Sequence, residues 1–177
     1  MNILITILLV VAGIIALLLL IALFMRKEHY VKREIIINAP RQKVFDFLKL
    51  LKNQDKFNKW ATADKQNRKE EFKGTDGTVG FIYSWSGNKD AGQGEKEIKN
   101  IVEGKRIETE IRFMKPMRVS ASVIFETESI SENQTRASMI NTGTLPWPLN
   151  LMIPMSEKKF PKFMDESLST LKNILEQ

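Results

Sequence analysis

The sequence contains no cysteine and only one histidine, His29, in 177 residues. The first absence excludes disulfides, thiol nucleophiles and thiolate metal sites. With a single imidazole, a transition-metal site would have to be built from carboxylates alone, so no metal is expected. A third absence is local. From Ile3 to Met25 there is no charged residue, and most positions are Leu, Ile, Val or Ala. As a helix this stretch spans roughly 35 Å, enough to cross a hydrocarbon core of about 30 Å. No Lys or Arg precedes it and no small-x-small cleavage site follows it, so it reads as an uncleaved anchor rather than a signal peptide.

What remains carries all the charge. Lys and Arg number 27 against 21 Asp and Glu, a net charge of +6. Arg26, Lys27, Lys32 and Arg33 lie just after the apolar run, which by the positive-inside rule places the following domain in the cytoplasm, near anionic lipid. No Lys/Arg run interleaves with exposed aromatics, so nucleic acid is not an expected partner. The expected organisation is an anchor over residues 3–25, a basic juxtamembrane collar over 26–30 and one soluble domain over 31–177. In the collar, a functional His29 would be a proton-transfer group or a ligand; among basic residues beside an anchor it reads instead as a polar residue beside lipid headgroups.

In the domain, a strand over 31–38 ends at Ala39-Pro40, with Pro40 suited to open a helix. Val44, Phe47, Leu48 and Leu51 recur at helical spacing, and residues 54–60 make a second short helical or turn segment ending at Trp60. Period-two alternation then predicts strands over 67–73, 78–86, 93–102, 106–113, 118–129 and 134–144. Gly74-Thr75-Asp76-Gly77 and Glu103-Gly104-Lys105 are turn sequences. The three prolines of residues 145–155, LPWPLNLMIPM, argue against regular structure there. Residues 156–177 form an amphipathic helix through Phe160, Phe163, Met164, Leu168 and Leu171, with Ser156 as a plausible N-cap. The fold class is therefore α+β: a curved antiparallel sheet whose apolar face is covered by the C-terminal helix, with a cavity between them.

Candidate pocket residues lie on the inner face: Trp60, Phe81, Tyr83, Trp85, Ile111, Phe113, Phe125, Met139 and Asn141. The alternative is that these aromatics are plain core packing. Tyr83 is the inward titratable candidate for acid–base work, while Glu108, Glu110, Glu126 and Glu128 alternate toward water. Trp147, Leu149 and Met152, rimmed by Lys158, Lys159 and Lys162, are candidates for a membrane-touching gate; the alternative is that they close the end of the core. Gly87, Gly92 and Gly94 fit neither a P-loop nor a dinucleotide fingerprint, and no cofactor is expected.

Several pieces in order carry a resemblance: Ile35-Ile36-Ile37-Asn38-Ala39-Pro40 before Val44-Phe45, then Trp60. Later come Trp85-Ser86-Gly87-Asn88 with Ala91-Gly92-Gln93-Gly94, Arg106-Ile107, and Leu168-Ser169-Thr170-Leu171-Lys172. Over residues 30–177 the chain resembles the SRPBCC (START/Bet v 1-like) superfamily, specifically its polyketide cyclase/dehydrase-type proteins. The resemblance implies a helix-grip fold, a seven-stranded antiparallel sheet curled round a long C-terminal helix. It also implies a cavity for lipids, sterols, polyketides or hormones. It carries over no catalytic residues. The expected function is binding of a small hydrophobic or lipid-like ligand by a membrane-anchored protein. The alternatives are a cyclase, dehydratase or hydrolase on such a ligand, or a protein-interaction module with a filled core.

Overall fold

The structure, a computed structural model, describes residues 2–58, 68–87, 92–115 and 117–177. Trp60, loop residues 88–91 and Pro116 lie outside the described residues. Helix α1 spans Ile3–Phe24. Strand β1 (Glu28–Ile37) leads to helices α2 (Arg41–Lys49) and α3 (Leu51–Phe57). Six further strands follow: β2 (Lys69–Lys73), β3 (Ile82–Ser86), β4 (Gln93–Val102), β5 (Arg106–Lys115), β6 (Val119–Ser131) and β7 (Gln134–Thr144). A 3-10 turn over Leu149–Met152 opens helix α4 (Ile153–Leu175).

All seven strands form one antiparallel sheet in the order β1-β7-β6-β5-β4-β3-β2. Strands β2 to β7 run as a meander, and β1 joins the far edge against β7. This is the helix-grip architecture. The alternation in the sequence sets the register: Ile107 faces Phe125, Ile111 faces Ala121 and Phe113 faces Val119 across β5 and β6. One sheet face is thereby apolar and the other wet. On the wet face Arg112 pairs with Glu95, Glu97 and Glu110, and Arg106 with Glu108 and Glu126. Helix α4 lays Met164, Leu168, Leu171 and Leu175 on Val31, Ile37, Ile107, Phe125 and Met139. Val44, Phe45 and Leu48 of α2 close the same core.

Three elements differ from the sequence reading. β1 begins at Glu28, so residues 28–30 are paired to 142–144 rather than forming a free collar. α4 begins at Ile153, with Met152 as its N-cap and Pro154 in its first turn, where a missing N–H leaves no bond unmade. Ser156 is therefore inside the helix and not its cap. The prolines of 145–155 thus accommodate a 3-10 turn and a helix start instead of excluding both.

A cavity between the sheet and its covering helices

The core fills one end of the sheet. At the other end the helices stand off, leaving a cavity of about 440 Å³. Two rows of directly opposed residues run beneath it, and every member but the two glycines lines it. One row runs His29, Gly143, Ala121, Ile111, Lys96, Tyr83 across six strands. The next runs Val119, Phe113, Gly94, Trp85. Glycine is required in both rows. A Cβ on Gly143 would stand 2.9 Å from His29 Cε1 and 3.0 Å from the Ser120 carbonyl. A Cβ on Gly94 would stand 2.6 Å from Trp85 Cζ2 and 2.7 Å from the Arg112 carbonyl. Their bare α-carbons let the imidazole and the indole lie against the sheet.

The roof comes from three places. Helix α3 supplies Leu51, Gln54, Asp55 and Asn58, α4 supplies Ser156 and Phe160, and the segment between β7 and α4 supplies Leu145, Leu149 and Met152. α3 has no cap of its own. Asp76, in the Gly74–Gly77 turn, accepts from the backbone N–H groups of Leu51 (2.8 Å) and Lys52 (3.2 Å). Gly74 and Gly77 make that turn possible through φ of 92° and 81°. The turn thereby anchors the helix that holds Gln54 and Asp55 over the cavity.

The polar groups gather at two places separated by apolar wall. On β1, His29 is 6 % exposed, not the lipid-facing residue expected from the sequence, and its ring packs edge-on to Phe160. His29 Nε2 lies 2.7 Å from Asn141 Oδ1. A carbonyl oxygen only accepts, so Nε2 carries the hydrogen. Among the described residues His29 Nδ1 has no hydrogen-bond partner. At the other side, Lys96 donates to Gln54 Oε1, and Gln54 Nε2 donates to the Leu48 carbonyl at 2.9 Å. Arg68 pairs with Glu70 (2.6 Å) and Asp55 (3.4 Å) and donates to the Tyr83 hydroxyl, which donates to Glu70 at 2.9 Å. Burial pushes the Lys96 ammonium down to about 8. Burial also raises the Asp55 carboxyl against the opposing pull of Tyr83 and Arg68. Tyr83 is held protonated, by burial first and by the charge of Asp55 second.

Of the pocket residues read from the sequence, Tyr83, Trp85, Ile111, Phe113, Met139 and Asn141 stand on the cavity wall, as do Leu149 and Met152 of the gate segment. Phe81 does not. It packs with Leu51, Tyr83 and Ile98 in a satellite cluster and stacks on Phe72. Phe125 is also off the wall, edge-on to Phe57 inside the main core. Trp60 lies outside the described residues. Trp147 is 45 % exposed and turns away from the cavity, donating from Nε1 to the Leu19 carbonyl of α1 at 3.1 Å. Sequence reasoning missed His29, Gln54, Asp55, Arg68 and Lys96. A signal existed for two of them: Lys96 shares the alternation of Ile98, and His29 that of Val31.

The link to α1 is specific. Asn150 Nδ2 donates to the carbonyls of Ala22 (2.7 Å) and Met25 (3.2 Å), covering the open C-terminal end of that helix. Ala22 is the one buried residue of α1. α1 is long and apolar enough to cross a membrane. Three of the four basic residues beside it are engaged within the chain: Arg26 with Glu157, Lys32 with Glu34 and Arg33 with Asp165.

No protein-family model matches this sequence, and no curated protein matches it. Solved structures do. A protein from Chromobacterium violaceum is 13 % identical, covers 84 % of this chain and 97 % of its own, and superposes with a TM-score of 0.58. Ara h 8.0201 is 14 % identical over 81 % of this chain and 98 % of its own, at 0.52. Aha1 from Colwellia psychrerythraea, solved as a dimer, is 18 % identical over 84 % and 96 %, also at 0.52. At these identities the likeness is one of fold, a curved seven-stranded antiparallel sheet gripping a long C-terminal helix.

Proposed function

We propose that this protein holds a small hydrophobic or lipid-like ligand in the cavity while α1 fixes it to a membrane, as an SRPBCC protein of polyketide cyclase/dehydrase type adapted to binding. The observation that carries this reading is the placement of the cavity. Leu149 and Met152 on its wall belong to the same short segment whose Asn150 and Trp147 hold the last turns of α1. Apolar ligands concentrate in bilayers, and a cavity tethered beside one meets them at high effective concentration. A ligand burying on the order of 300 Å² of apolar surface would gain roughly 7 kcal/mol before ordering costs. In this reading Lys27, Lys158 and Lys159, all exposed, face anionic headgroups and the domain lies in the cytoplasm. Two competing readings are less well supported. A filled-core interaction module has no use for a space of this size. For an enzyme, a Tyr83 held protonated suits hydrogen bonding better than proton abstraction.

The test uses the full chain in lipid nanodiscs and an acyl chain carrying a fluorophore. The wild type should take up the probe saturably. Ala121→Phe, which fills the floor between Gly143 and Ile111, should weaken uptake about tenfold with its melting temperature within a few degrees of wild type. Absence of saturable uptake, or equal uptake by both proteins, overturns the reading.

A further inference from the structure

Lys96 is 6 % exposed and stands on the cavity wall between Ile111 and Tyr83. An ammonium has three donors. One goes to the Gln54 carbonyl oxygen, a neutral group whose orientation is fixed by its own bond to Leu48. Among the described residues no carboxylate comes within 4.0 Å of Lys96 Nζ. The acids nearby are engaged elsewhere: Asp55 with Arg68, and Glu70 with Arg68 and the Tyr83 hydroxyl. What the cavity presents at this end is therefore a buried ammonium with unused donors and, among the described residues, no carboxylate in direct contact: Asp55 acts on it only from a distance, and the neighbouring Arg68 is engaged by Asp55, Glu70 and Tyr83. Burial makes that charge unfavourable, which a bound anion would reverse.

We infer that Lys96 receives the head group of the ligand and that the ligand is an amphiphile ending in a carboxylate. This rests on the hydrophobic-ligand reading above and adds the head-group class to it. One cation matches one negative charge. A phosphate monoester would bring a second charge toward Asp55 and Glu70. The chain of the ligand runs from Lys96 over Ile111 and Ala121 toward His29, Phe160 and Leu149, four strand spacings or roughly 19 Å. That places the polar head away from α1 and the tail toward it.

The experiment compares three twelve-carbon probes on the full chain in nanodiscs: dodecanoate labelled with carbon-13 at the carboxyl, dodecanol and dodecyl phosphate. Wild type should prefer dodecanoate. Lys96→Met should lose about tenfold or more in dodecanoate affinity while keeping that for dodecanol, and Lys96→Arg should restore most of the loss. The bound carboxyl resonance in wild type should remain that of a carboxylate at pH values where the free acid is protonated. This readout needs no variant to fold. The inference is overturned if Lys96→Met binds dodecanoate like wild type, if the bound carboxyl titrates like the free acid, or if dodecyl phosphate binds more tightly. Saturable dodecanol binding without any preference for the acid removes the head-group assignment alone. If no probe binds, the hydrophobic-ligand reading falls with it.

Discussion

At the scale of residues, the molecule concentrates its unusual chemistry in Lys96 and the groups around it. Its ammonium is removed from water with Gln54 its one direct partner among the described residues, while Asp55, Arg68 and Tyr83 face the same space. An ordinary lysine titrates near 10.5, and folding brings Lys96 to about 8. Below pH 8 both folded and unfolded chains carry the proton, and the full cost of the buried charge is present. Between about 8 and 10.5 the unfolded chain still holds a proton that folded Lys96 has released, so stability rises with pH across that window, by at most about 3 kcal/mol. Tyr83, raised by burial, favours the folded state less as pH passes its ordinary value of 10.0, so the clean window lies below about 9.5. Chemical denaturation of the unliganded protein should show the rise from pH 8 to about 9.5 in wild type and its loss in Lys96→Met. Parallel slopes for the two proteins would contradict the burial of a charged lysine. The position was partly legible in the sequence. Lys96 and Ile98 alternate onto one face, but a charged residue in a strand normally marks the wet side, and only the register against Ile111 and Tyr83 places Lys96 inside.

At the scale of elements, two helices are held by side chains distant in sequence. Asp76 caps α3 from a turn, and Asn150 covers the end of α1 from across 128 residues. Neither partnership follows from local pattern, which is why the apolar 145–155 segment reads from sequence as a gate or as a closure for the end of the core, and not as a support for α1. Its apolar residues divide: Leu149 and Met152 face the cavity, whereas Trp147 reaches back to Leu19. Asn150→Ala removes the bonds to Ala22 and Met25, at a cost of about 1–2 kcal/mol. In nanodiscs, the distance distribution between spin labels on α1 and on the exposed end of β6 should broaden in this variant. An unchanged distribution would mean that the segment does not orient α1. The period of the C-terminal helix shows in the sequence but its start does not, because Pro154, a breaker inside a helix, sits here in a first turn.

At the scale of the whole molecule, the fold was legible and the cavity was less so. Alternation over 106–144 and the helical period of 160–175 dictate a half-buried sheet with a helix across it. The aromatic residues could not be sorted by pattern alone. Phe81, Tyr83 and Trp85 share one face, but the satellite cluster takes Phe81 and the wall takes the other two. Phe125 likewise belongs to the end of the sheet that α4 fills. Which end stays open depends on where α3 and the first turns of α4 stand off the sheet, a property of long-range packing. The central claim is that the open end is occupied by an apolar molecule. The most direct measurement is native mass spectrometry of the full chain released from nanodiscs, with extraction of any bound molecule, for wild type and Ala121→Phe in parallel. The account predicts one apolar molecule per wild-type chain and none on Ala121→Phe. An empty wild-type protein, or the same molecule in equal amount on both, would contradict it.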